Sequence, residues 1–167
     1  ANRRRKLWDE DSPDKNKAGN QLVIIGYDGD KKYENVPSYI PGDTIKKVNG
    51  KTMTLIEFFV HSPFKDSLVK GRAESDKNVT SIVMQARFKK SSWDTKPSAL
   101  YLFGGDADHY IWEEIQNQSS AHNNGEKLDF DIFLAPHHCS WTYFNDVPYK
   151  KGETDEPVES SKKLIKD

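Results

Sequence analysis

A single cysteine, Cys139, stands in 167 residues, so no internal disulfide framework can hold this chain together, and a reducing cytoplasm suits it. No apolar run approaches the length of a membrane span, and the opening Ala1-Asn-Arg-Arg-Arg-Lys6 lacks the apolar segment that a secretion signal needs. A net field is missing too. With 25 Lys+Arg against 26 Asp+Glu, any binding of nucleic acid or anionic lipid must come from local patches. Apolar residues are scarce, at 35% of the chain with a mean hydropathy of −0.85, which is poor for one globular domain of this length. Internal repeats and low-complexity tracts are absent as well. Together these absences predict a soluble, cytoplasmic protein that is heavily solvated or incomplete.

What is present divides into three parts. Residues 1–20 are basic and then acidic, with only Leu7 and Trp8 to bury, and are expected to form a mobile or loosely docked arm. Residues 21–147 hold the ordered part, and 148–167 a polar, charged tail. Within the middle part Gln21-Leu-Val-Ile-Ile-Gly26 reads as a strand closed by Asp28-Gly29. Asn49-Gly50 between Lys46–Val48 and Lys51–Val60 is the strongest hairpin signal, because both residues accept the positive φ of a type I′ turn. In that second arm Thr52, Thr54, Ile56, Phe58 and Val60 share one pleat parity and Met53, Leu55, Glu57 and Phe59 the other, so both faces look largely covered. Residues 62–78 show no clear period. Strands are predicted over Thr80–Phe88 and Ser98–Phe103, with a solvated loop from Lys89 to Pro97. A short helix follows from Asp108, which can cap it, with Ile111, Trp112 and Ile115 on one face; Ser119 to Lys127 is read as a loop.

Asp129-Phe-Asp-Ile-Phe-Leu-Ala-Pro-His-His-Cys-Ser140 carries two of the chain's five histidines. The apolar run suits a strand covered on both faces, and Pro136 ends it, so His137 and His138 fall at a strand end. Gly104-Gly105-Asp106 ends the preceding strand in the same way, with glycines that let the backbone turn sharply and bring a short carboxylate beyond the sheet edge. Parallel neighbours would set Asp106 beside His137, where a carboxylate and an imidazole can share a divalent ion. Each feature alone has an ordinary reading. The rings can satisfy carbonyls or face solvent, and Asp106 can be a turn or cap residue. Of the other candidates, His109 is expected to be exposed, His61 structural, His122 solvated and Trp112 core. Cys139 is expected to be a small buried residue, with a soft-ligand role as the alternative. Lys89, Lys90 and Lys96 read as a solvated loop that can touch phosphate.

Asn78-Val-Thr-Ser-Ile-Val83, Leu100-Tyr-Leu-Phe-Gly-Gly-Asp-Ala107 and Asp131-Ile-Phe-Leu-Ala-Pro-His-His-Cys-Ser140 together resemble, over residues 78–140, the later half of a metallo-β-lactamase-fold hydrolase of the ComEC-like type. That type has an Asn-x-x-Ser-hydrophobic strand, a Thr-Gly-Asp-Ala turn opening a helix and a Pro-His-His-Gly-Ser strand end; here Gly104 stands for the threonine and Cys139 for the glycine. The resemblance implies an α/β fold, part of an αββα sandwich completed by another segment or chain. It implies Asp106 as a metal-bridging carboxylate and His137 as a metal ligand, with His138 beside it as a ligand or supporting donor. It implies two divalent ions as cofactors, zinc first and manganese second.

The family's principal metal motif, His-x-His-x-Asp-His, occurs nowhere in these residues. The expected partner is therefore the complementary half of the fold, from the same precursor or a second chain. Arg3-Arg4-Arg5-Lys6 and Lys162-Lys163 resemble sites for a trypsin-like protease, although ordinary basic patches explain them equally well. The function expected is metal-dependent hydrolysis, with nucleic acid as substrate. The alternatives are a degenerate, metal-free interaction subunit and a metallohydrolase of small-molecule esters.

Overall fold

The computed structural model describes residues 2–26, 33–67, 77–145 and 156–166. Its centre is a five-stranded mixed sheet of β3 (Thr44–Ile45), β6 (Ile56–Ser62), β7 (Val83–Phe88), β8 (Ala99–Phe103) and β9 (Ile132–Leu134), hydrogen-bonded in that order. The first three junctions are antiparallel and β8–β9 is parallel. A parallel pair cannot be joined by a tight turn, and here the crossover is the helix α2 (His109–Ala121). Asp108 caps it as expected, its side chain accepting the Ile111 amide at 3.1 Å. The smaller elements are α1 (Asn2–Asp9), a parallel pair of β1 (Ile24–Ile25) with β2 (Ser38–Tyr39), a hairpin of β4 (Lys47–Val48) with β5 (Lys51–Thr52), and α3 (Glu159–Lys166). No helix among the described residues is long and apolar enough to cross a membrane.

Strand period and register sort the sheet into two faces. Val83, Leu102 and the partly buried Phe133 face α2, where Ile111, Trp112 and Ile115 complete the core with Tyr143 and Leu164. Each large side chain buried there contributes about 1.5–3 kcal/mol of hydrophobic stabilisation before entropy is counted. Gln85, on the same face and fully buried, donates to the Asp129 carbonyl at 2.7 Å and accepts Arg87 Nη1 at 3.1 Å, while Arg87 Nε lies 3.2 Å from Glu57 Oε1. The opposite face is built from Ile56, Phe58, Val60, Met84, Ala86, Phe88, Tyr101, Phe103, Ile132 and Leu134. It has no charged residue. Its β9 side is part-open, with Ile132 55% and Leu134 49% exposed.

Several expectations are corrected by this arrangement. β9 is covered on one face only. The Asn49-Gly50 hairpin forms with positive φ at both residues, but its second arm does not run on to Val60: the pairing goes as far as Met53, which donates to the Lys46 carbonyl, and β6 starts afresh at Ile56 in the main sheet. The first strand shrinks to two residues, and Asp28-Gly29 lie outside the described residues. A 3-10 turn over Asn78–Thr80 delays the next strand to Val83. α2 continues through Ser119 to Ala121, since Ser119 is buried and extends its inner face. The arm carries α1, which buries none of its residues, although Asp9 accepts the Tyr33 hydroxyl at 2.7 Å. In the tail, Leu164 of α3 joins the core, and Ser161 Oγ donates to the Tyr143 carbonyl at 2.6 Å.

Candidate functional site

Because Phe103 pairs with Leu134 in parallel register, the chain leaves β8 and β9 at the same edge of the sheet. Two glycines shape the first exit. Gly104 lies against the second turn, where a β-carbon would come within 2.8 Å of Pro136 Cβ and 3.0 Å of the Leu134 carbonyl. Gly105 has φ +55, and a β-carbon there would stand 2.8 Å from the Ile82 carbonyl. The two turns are then tied by the His137 amide, which donates to the Gly105 carbonyl at 2.9 Å.

This backbone brings Asp106 and His138 together: Nε2 of the imidazole is 3.3 Å from Oδ1 of the carboxylate, with the side chains 87% and 50% exposed for His138 and Asp106. Both groups face water, so their mutual attraction adds little to stability. His137, half-buried, is held from its other side. Its Nδ1 lies 2.7 Å from Thr142 Oγ1, which in turn donates to Ser140 Oγ at 3.1 Å. Thr142 Oγ1 thus ties the His137 ring, through Nδ1, to the turn that Ser140 begins. Thr142 is a neighbour of the candidate site that the sequence did not single out. The Ser140-x-Thr142 spacing right after the histidines was its signal, because hydroxyls at that spacing favour a local turn.

His137, His138 and Cys139 are consecutive left-handed residues, with φ of 48, 54 and 60. Each costs on the order of 1 kcal/mol relative to glycine in the same conformation. The turn also overturns the expected burial of Cys139. Pro136 takes the buried place, and the thiol is exposed.

The remaining histidines separate clearly. His109 is 5% exposed, correcting the expectation of a solvated first turn, with its ring packed 4.0 Å from that of Tyr110. His61 is structural as expected. It is buried and its Nε2 donates to the Lys127 carbonyl at 2.9 Å, and burial lowers its pKa to about 4, so it is neutral at pH 7. His122 is exposed and hydrogen-bonded to its own helix end at the Gln118 carbonyl.

Among the described residues no three His, Cys, Asp or Glu side chains converge in a group able to hold a metal ion. Zinc sites take three or four protein ligands. Asp106 and His138 thus bring two donors together and do not close such a site, and the expected meeting of Asp106 with the His137 side chain is replaced by its meeting with His138. Set against known proteins, the chain matches no family model, no curated protein and no solved structure. The class the fold and site define is a mixed α/β protein on a five-stranded mixed sheet, with a carboxylate–imidazole pair at the carboxyl ends of its two parallel strands.

Proposed function

We propose that this chain is the later half of a metallo-β-lactamase-type αββα sandwich and contributes part of the centre of a metal-dependent hydrolase acting on nucleic-acid phosphodiesters. The observation that carries the reading is the meeting of Asp106 and His138 at 3.3 Å across two parallel strand ends. A second supports it: the uncharged, part-open sheet face is what one layer of a sandwich shows when the other layer is carried elsewhere. Imidazole with carboxylate suits zinc, and manganese less closely, so the metal expected at these residues is zinc.

When bound, such an ion supplies Lewis acidity at the phosphate and lowers the pKa of the attacking water. The chain's own residues do the positioning. Gly104 and Gly105 fix where the Asp106 carboxylate emerges, and Thr142 holds the His137 ring through Nδ1. His138, exposed and in contact with Asp106, is placed to pass a proton to a departing oxygen.

The test uses the chain joined to, or co-purified with, its complementary half. Metal content is measured, and cleavage of plasmid DNA is followed for the parent and for Asp106→Ala. Loss of at least about 100-fold in cleavage with an unchanged circular dichroism spectrum is expected. Full cleavage by the variant overturns the proposal. An assembly that binds no ion at these residues favours the second reading, a metal-free interaction subunit.

A further inference from the structure

β7 and β8 are joined through Lys89-Lys-Ser-Ser-Trp-Asp-Thr-Lys-Pro97, and at the tip of that loop Trp93 is 89% exposed. The loop is closed on itself. The Ser91 amide donates to Asp94 Oδ2 at 2.9 Å, the Trp93 amide to Ser91 Oγ at 3.2 Å, and the Asp94 amide to the Ser91 carbonyl at 3.2 Å; the Ser98 amide closes the hairpin on the Phe88 carbonyl at 2.6 Å. An indole held out in water by an ordered turn forfeits the burial that aromatic side chains gain in a core, which points to a surface that covers it.

The charge around it decides between surfaces. Lys90 and Lys96 are exposed and have no carboxylate partner among the described residues. Lys89 shares the single carboxylate of Glu57 with Lys46 and Arg87, at 4.0, 3.8 and 3.2 Å. The loop's one acid, Asp94, is engaged by the Ser91 amide. Lysine is depleted from protein–protein contacts, whereas unpaired lysines beside an exposed aromatic ring are what a strand of phosphates and bases requires.

We propose that this loop binds single-stranded nucleic acid, with Trp93 stacked on a base and Lys90 and Lys96 against phosphates. The substrate class rests on the function proposed above; the site is separate from it. Five residues of β8 put the loop roughly 17 Å from the Asp106 turn, at the other end of the strand, so it anchors the substrate without placing the bond to be cut.

The experiment follows fluorescence anisotropy of a fluorescein-labelled oligothymidylate of about 20 nucleotides with the purified chain, without added metal. Expected are binding by the parent, a loss of roughly ten-fold for Trp93→Ala, and a salt dependence shallower by about 1.4 for Lys90→Gln with Lys96→Gln. Asp106→Ala is expected to bind as the parent does, which separates this site from the cleaving pair. Parental affinity in Trp93→Ala, or no binding by the parent, overturns the proposal. Unchanged oligonucleotide binding together with lost association of the complementary half also overturns it, in favour of a protein contact. If oligonucleotide binding depends on Trp93 but the full assembly cleaves nothing, the loop assignment stands and the hydrolase reading falls.

Discussion

A β-carbon placed on Gly104 would stand 2.8 Å from the β-carbon of Pro136, so the turns that end β8 and β9 meet with no room for a side chain between them. Gly105 is confined differently, by its positive φ and by the Ile82 carbonyl. Gly104→Thr is expected to destabilise the fold by about 1–3 kcal/mol, and Gly105→Ala by a similar amount. Urea midpoints for the two variants check this. A threonine accepted without loss would mean that Pro136 yields more easily than its burial suggests.

Asp106 and His138 should behave in the opposite way. Both are well exposed, and a solvent-facing polar contact of this kind is worth little. Asp106→Asn and His138→Gln, singly and together, are expected to change unfolding free energy by less than about 0.5 kcal/mol. A double-mutant cycle by urea unfolding measures it. A coupling of several kcal/mol would mark the pair as part of the fold's support and weaken its reading as a site.

His61 makes stability depend on pH. Burial lowers its folded-state pKa to about 4, below the ordinary value of 6.5, so the unfolded chain binds the extra proton between those limits. This contribution is fully present above about pH 6.5 and is lost as the pH falls towards 4. From pH 7.5 to pH 5 the expected loss is about 2 kcal/mol. His61→Gln, compared with the parent in urea at both pH values, should remove that part of the difference. A parent-like pH dependence in the variant would assign the effect to other groups.

Gln85 is the polar side chain on which the buried face of the sheet depends most directly. It bonds the Asp129 carbonyl at 2.7 Å and the Glu126 carbonyl at 3.3 Å, and it accepts from Arg87. Gln85→Leu keeps most of the volume but removes these part-buried hydrogen bonds, at an expected cost of about 1–3 kcal/mol. The same urea titration reads it. Amide exchange should in addition speed up locally around residues 126–131, the segment that Gln85 holds to the sheet.

The parts of the molecule legible in the sequence were those governed by local rules. Asn49-Gly50 forms its turn because both residues tolerate positive φ, Asp108 caps α2 because its side chain reaches back to a free amide, and the two strand ends meet because their apolar runs lie in parallel neighbours. What could not be read depended on distant partners. Tyr143 follows the last strand in an aromatic stretch without a clear period and Leu164 lies among lysines in the charged tail, yet both enter the core with Trp112. His109 is buried by packing that no periodicity in its own helix announces, and Cys139 is exposed because a left-handed turn, with Pro136 inside it, points the thiol outward. Within the candidate site, Asp106, His137 and His138 were each legible as residues at strand ends. That His138 would meet the carboxylate while His137 turned to Thr142 was a matter of three-dimensional backbone path.

β9 is only three residues long, and its alignment with β8 is secured by Phe133, whose ring lies 5.6 Å from that of Trp112 and 5.1 Å from that of Phe130. A slip of one residue would swing this ring out of the interior and carry the histidine turn about 3.3 Å along the strand. The spacing between carboxylate and imidazole is therefore calibrated by an aromatic ring that touches neither of them. Variation at Phe133 should blur that spacing before it melts the protein, so the precision of the edge and the robustness of the fold can drift apart.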